Sequence, residues 1–195
     1  MDADEVELRV LGCLIEKQRT TPEVYPLSLN ALRLACNQMT NRDPVVSYDE
    51  ETIRAALDRL AHRGWVRLAS GPGSRAVKFR HLFDEALGLS APQISLLSVL
   101  MLRGAQTPGE LKQRTDRLHP FASLADVETT LSELIERELA VRLPRRPGQK
   151  EQRYAHTLGG EASAEVPTSA SLEERVARLE EQMAELLARV DSSAG

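Results

Sequence analysis

The chain has 195 residues, 42% of them hydrophobic, 28% charged and only 4% aromatic, which is the composition of a soluble globular protein. No apolar run approaches the ~18 residues of a membrane-spanning helix, and the start Met1-Asp2-Ala3-Asp4-Glu5 carries the wrong charge for a secretory or transit signal. A cytoplasmic protein with no membrane partner is expected.

The net charge of −4 is unevenly spread. Lys plus Arg against Asp plus Glu is 12 to 13 over residues 1–89, 10 to 8 over 90–160 and 3 to 8 over 161–195, so the acidity belongs to the tail.

In chain order, the first helix is predicted from about Asp4 to Gln18, with Val6, Val10, Cys13 and Leu14 on one buried stripe and Glu7, Arg9 and Glu16 off it. A polar insertion at about 24–46 follows. It contains a helix opening at Ser28 and gathers Tyr25, Asn30, Asn37, Gln38, Asn41 and Arg42 within eighteen residues. Such groups either bind a ligand or satisfy the backbone of an irregular connection, and exposure in a cleft would favour the ligand. Ser47-Tyr48-Asp49-Glu50 reads as a capping box for a third helix through Ile53, Leu57 and Leu60. A strand at Trp65–Ala69, a Ser-Gly-Pro-Gly-Ser turn and a strand at Ala76–His81 complete the first half.

The pattern then repeats. Ser90 and Gln93 form a capping box ahead of Ile94, Leu97 and Met101; Thr107-Pro108-Gly109-Glu110 opens a second helix; Ser123 to Asp126 opens a third. At an offset of 75, Val66-Arg67-Leu68 returns as Val141-Arg142-Leu143, Phe79 as Tyr154 and His81 as His156. Three helices followed by a hairpin with a basic Pro-Gly tip is the order of a winged helix. The expected fold is therefore mainly α with small β hairpins (α+β): winged-helix domains at 1–89 and 90–158, a linker at 159–170 and a coiled-coil helix at 171–191. In that last helix Leu172, Val176, Leu179, Met183, Leu186 and Val190 step by four and three, the seam of a homodimer.

The hairpins carry Arg67, Arg75, Lys78 and Arg80 in the first half, and Arg142, Arg145, Arg146, Lys150 and Arg153 in the second. These positions point to the phosphate backbone of double-stranded DNA. The leading turns of the third helices do not, because Asp49, Glu50, Glu51, Asp126 and Glu128 are acidic and the base-reading set of Arg, Lys, Asn and Gln is absent there. The alternative is a protein-interaction scaffold that uses the acidic third helices. No enzyme, metal or cofactor is expected, since the histidines at 62, 81, 119 and 156 are scattered and the spacing of Cys13 and Cys36 matches no ligand motif.

Leu14-Ile15-Glu16-Lys17-Gln18, Thr20-Thr21-Pro22-Glu23, Tyr25-Pro26-Leu27-Ser28-Leu29-Asn30, Ala35-Cys36-Asn37-Gln38 and Leu102-Arg103-Gly104-Ala105-Gln106-Thr107-Pro108 together resemble the YceH-like family of uncharacterised bacterial proteins. The resemblance implies two winged-helix domains and names no catalytic or binding residues. Met39 stands where many relatives would carry Lys, which weakens phosphate contact by the insertion.

Overall fold

The computed structural model describes residues 2–69, 77–145 and 151–159. Helix α1 (Glu5–Thr20) starts on Asp4, whose carboxylate accepts from the Glu7 N–H while the Glu7 side chain accepts from the Asp4 N–H. Strand β1 (Leu27–Ser28) and helix α2 (Leu29–Cys36), capped by Ser28, come next. Helix α3 (Glu50–His62) leads into β2 (Val66–Leu68) and β3 (Lys78–His81), and a short helix α4 (Phe83–Leu87) closes the first half. The second half runs α5 (Ala91–Arg103), α6 (Pro108–Thr115), α7 (Leu124–Glu136), β4 (Ala140–Arg142) and β5 (Tyr154–His156). The protein is thus mixed α and β, mostly helical, with small antiparallel strand groups.

The first sheet has the order β1-β3-β2, and the second is the β4-β5 pair. In the second half a single bridge between Gln106 and Tyr154 takes the place of β1. Capping explains most helix starts: Ser90 with Gln93, Thr107 with Glu110, and Ser123 with Asp126 all form reciprocal boxes. The expected box at Ser47 does not form. Asp49 caps α3 instead, accepting from the Thr52 N–H at 2.8 Å, and the Asn37 amide engages both the N–H and the carbonyl of Tyr48 just ahead of it.

The two halves share one core through α1 and α5. Buried residues run without a break from Glu7 to Ile15 on α1 and from Gln93 to Leu102 on α5, so each helix is enclosed on all sides rather than along one stripe. Gly12 lets the two approach closely, since a Cβ there would lie 2.9 Å from Leu102 Cγ. At the same crossing, the Ser98 hydroxyl donates to the Gly12 carbonyl at 3.2 Å.

Glu7 and Arg9, expected off the buried stripe, are enclosed with it and are only 2% and 4% exposed. Both are buried with partners, as the desolvation of a charge requires. Glu7 accepts from Arg63 at 3.1 Å, and Arg9 donates to the carbonyls of Cys36 and Pro44. Cys13 and Cys36 are buried free thiols.

Candidate functional site

In the first hairpin, β2 and β3 pair Arg67 directly with Arg80. Two like charges opposite one another repel unless a counter-charge intervenes. Arg80 has one, the Glu85 carboxylate at the start of α4. Arg67 is exposed, and its side chain has no hydrogen bond or ion pair among the described residues. Lys78 is half-buried opposite Ser28 of β1, and Arg75 lies outside the described residues.

The second hairpin is not a superposable copy. Trp65 N–H bonds Leu60 O and Leu139 N–H bonds Leu134 O, which makes the offset 74 through the third helix and first strand. Leu82 N–H bonds Trp65 O and Thr157 N–H bonds Leu139 O, which makes it 75 on the returning strand. Val141-Arg142-Leu143 therefore does not match Val66-Arg67-Leu68: the counterparts of Val66 and Arg67 are Ala140 and Val141. One extra residue sits between the strands, and Arg142 takes the place of Leu68.

Arg142 is exposed and lies 5.7 Å over the Tyr154 ring, while Arg145 is exposed with no ion pair or hydrogen bond among the described residues. Arg153 is committed to the fold, donating to Ala105 O at 2.7 Å and lying 3.3 Å from Glu110. Arg146 and Lys150 lie outside the described residues, as do all six positions of the Leu172 to Val190 seam.

On the third helices the outward faces differ. Helix α3 exposes Glu50, Glu51, Arg54, Asp58 and Arg59, whereas α7 exposes Asp126, Glu128, Glu133 and Glu136. Asp49 and Asp126 are already engaged at helix N-termini, and the Thr52 amide holds the Asp49 carboxyl below its ordinary range.

The insertion cluster divides into fasteners and a cleft wall. The Tyr25 hydroxyl accepts from the His81 N–H at 2.8 Å, and burial pushes its phenol up to about 12. Asn37 clasps Tyr48 by both its N–H and its carbonyl, and Asn30 accepts from Arg33. Arg42 is buried, donating to the carbonyls of Ala35 and Asn41 and pairing with Glu16. Gln38 and Asn41 are the two members that line a cleft, whose other wall comes from α5 and α6.

A family described as "Protein of unknown function, DUF480" matches residues 3–149. The chain is 50% identical over 199 residues to a "UPF0502 protein" of Pelobacter propionicus, covering 95% of this chain and 90% of the relative. It is 50% identical over 190 residues to another of Geobacter metallireducens (91% and 86%), and 46% identical over 200 residues to "UPF0502 protein YceH" of Salmonella paratyphi B (95% and 93%). The chain belongs to this YceH-like family.

The family match spans both halves, so the shared α1–α5 core and the insertion are within it. Sequence reasoning missed Arg103, Arg114 and Arg117, which line the cleft opposite Gln38 and Asn41. No local signal marks them, because they come to line one cleft with the insertion only after α5 has packed on α1 and α6 on α5. Among the described residues no group of three or more His, Cys, Asp or Glu is placed to hold a metal ion, and no helix is long and apolar enough to cross a membrane.

Proposed function

We propose that each half is a winged helix, and that the protein is a non-enzymatic module that holds the backbone of double-stranded DNA with its two hairpins. The sheet order β1-β3-β2 behind α1, α2 and α3 supports the winged-helix reading, as does the Gln106–Tyr154 bridge at the equivalent place in the second half. Fold alone does not choose a ligand.

The observation that carries the DNA reading is the sorting of the hairpin arginines. Arg80 and Arg153 are neutralised within the fold, while Arg67, Arg142 and Arg145 face solvent with no carboxylate beside them among the described residues. Phosphate contacts of this kind give affinity without sequence preference. The acidic outward face of α7 argues against base reading by that helix. A homodimer formed through the Leu172 to Val190 seam would double the contacts and set the spacing between binding units.

The test is fluorescence anisotropy with random-sequence duplex DNA across ~50 to 200 mM salt, where several phosphate contacts lose about 10³-fold in affinity. Replacing Arg67, Arg142 and Arg145 by Ala should weaken binding equally for all sequences and flatten the salt slope by ~0.9 for each phosphate no longer neutralised. Absence of binding at low salt overturns the reading. It would favour a protein-binding scaffold, for which Leu34 (58%), Met39 (84%) and Val45 (54%) are exposed apolar side chains of α2 and the insertion.

A further inference from the structure

A cavity of about 460 Å³ opens where α1, the insertion, α5 and α6 meet. Its size falls within the ~300–1,000 Å³ of small-molecule sites. Four cations line it: Lys17 from α1, Arg103 from α5, and Arg114 and Arg117 from α6 and the turn after it. One carboxylate lines it, Glu16; both of its oxygens accept from the Arg42 guanidinium, at 3.1 and 2.6 Å, and Oε2 also lies 3.5 Å from Lys17 Nζ. Glu110, just outside the lining, is shared at 3.5 Å by Arg114 and at 3.3 Å by Arg153.

The wall is one-sided in charge, with four cations against one carboxylate. Gln38 Oε1 accepts from Arg42 at 2.8 Å and from Lys17 at 3.4 Å, and Asn41 Oδ1 accepts from Arg103. The hydroxyls of Thr20 and Ser98 donate to the carbonyls of Glu16 and Gly12 and so keep only acceptor lone pairs. With those acceptor oxygens occupied, what the amides of Gln38 and Asn41 still offer is N–H, alongside the guanidinium N–H groups of Arg114 and Arg117. Arg117 has no ion pair or hydrogen bond among the described residues. Gln113 adds a neutral amide with both donor and acceptor, and four cations against one paired carboxylate make the wall complementary to a multiply charged anion.

Burial and then the neighbouring Arg114 charge push the Arg103 guanidinium below its ordinary range, so the cations crowd one another. An anion between them would relieve that repulsion. The remaining floor is apolar, formed by Val99, Leu102 and Leu118, and suits a carbon skeleton more than a bare ion.

We propose that this cleft binds a low-molecular-weight phosphate ester, its phosphate held by Arg103, Arg114, Arg117 and Lys17 and its organic part laid against Val99, Leu102 and Leu118. The site is separate from the hairpins and stands whether or not they hold DNA. Its walls come from both halves of the chain, so occupancy would brace the α1–α5 junction.

The test is calorimetric titration of the full-length chain with AMP and with pyrophosphate, at an ionic strength held constant with sodium chloride. Saturable binding of AMP with Kd below ~1 mM is expected, weakened at least ~10-fold in Arg117→Glu and in Arg114→Gln. Arg117 is exposed and unpartnered among the described residues, so its reversal leaves the fold intact, which circular dichroism checks. The Arg142→Ala and Arg145→Ala variant should bind AMP unchanged. No saturable heat with either probe overturns the proposal, and so does unaltered AMP binding in Arg117→Glu. If duplex DNA displaces AMP and loses as much affinity on Arg117→Glu, the cleft is part of a nucleic-acid surface and the small-ligand assignment fails.

Discussion

Arg42 and Glu16 form a two-pronged ion pair, Nη1 to Oε1 at 3.1 Å and Nη2 to Oε2 at 2.6 Å, with the arginine side chain wholly buried. Burial pushes the Glu16 carboxyl up, but the hydrogen bond and charge of Arg42, with help from Lys17, outweigh it and leave the group below its ordinary range. The pair ties the insertion to α1 across 26 residues of sequence.

Removing one member should therefore be costly. Arg42→Ala leaves Glu16 with only Lys17, 3.5 Å away, and opens the carbonyls of Ala35 and Asn41, with an expected loss of about 3 kcal/mol in urea unfolding. Glu16→Gln combined with Arg42→Met should lose less than Arg42→Ala alone, because the buried pair goes together and only Lys17, 20% exposed, loses a carboxylate. An equal or larger loss in the double variant would show that packing, not charge, dominates the site.

Gly12 should resist a side chain. A Cβ would stand 2.9 Å from Leu102 Cγ and 3.0 Å from Cδ2, and Cγ is a branch point that cannot swing away freely. Overpacking costs about 1–3 kcal/mol, against ~1 kcal/mol gained from alanine's helix propensity, so Gly12→Ala should be destabilised by about 1 kcal/mol and Gly12→Val by more. Adding Leu102→Ala should reverse the sign of the Gly12→Ala effect, measured as a double-mutant cycle.

His81 and His156 predict a pH dependence. Burial pushes both imidazoles down to about 4 from the ordinary 6.5; at His81 the Asp84 carboxylate opposes that shift, and Arg19 and Arg80 add to it. The His81 Nε2–H donates to Gln18 Oε1 at 2.6 Å, and Nδ1 lies 3.5 Å from Asp84 without hydrogen-bond geometry. Between those two pH values the unfolded chain binds protons that the folded chain does not, so stability falls with decreasing pH over that window, by up to ~3 kcal/mol per histidine. Urea midpoints from pH 7 to pH 4 should show the decline, and His81→Asn with His156→Asn should flatten it. An unchanged slope in the variant would assign the decline to carboxylates.

The seam from Leu172 to Val190 predicts a dimer. Light scattering of the full chain should give twice the monomer mass, and Leu179→Arg with Leu186→Arg should halve it, because a charge at two core positions of so short a repeat leaves too little apolar contact. A monomer in both samples would remove dimerisation from the proposed mode of DNA binding.

Helix starts were legible because caps are local: Ser90 needs only Gln93, Thr107 only Glu110, and Ser123 only Asp126. At Ser47 the cap falls on Asp49 instead, beside a contact that no local pattern shows, Asn37 holding Tyr48 from eleven residues away. The burial of Glu7 and Arg9 was hidden for the same reason, since their partners Arg63 and Pro44 lie 56 and 35 residues off. The hairpin arginines were visible as a group, but which of them remain free depends on Glu85 and Glu110. The cleft was invisible, because Lys17 and Arg117, a hundred residues apart, come to line it only through packing.

The Gly12 carbonyl and the Ser98 hydroxyl that meets it are 86 residues apart. At the ~5–20 residues per second of protein synthesis, the apolar side of α1 would leave the ribosome on the order of ten seconds before the helix that covers it. The first half thus spends a defined interval with an open flank, during which a chaperone or a neighbouring nascent chain can reach it. Codon changes that slow translation just ahead of α5 should lengthen that exposure and lower the soluble yield, without altering a single residue of the finished protein.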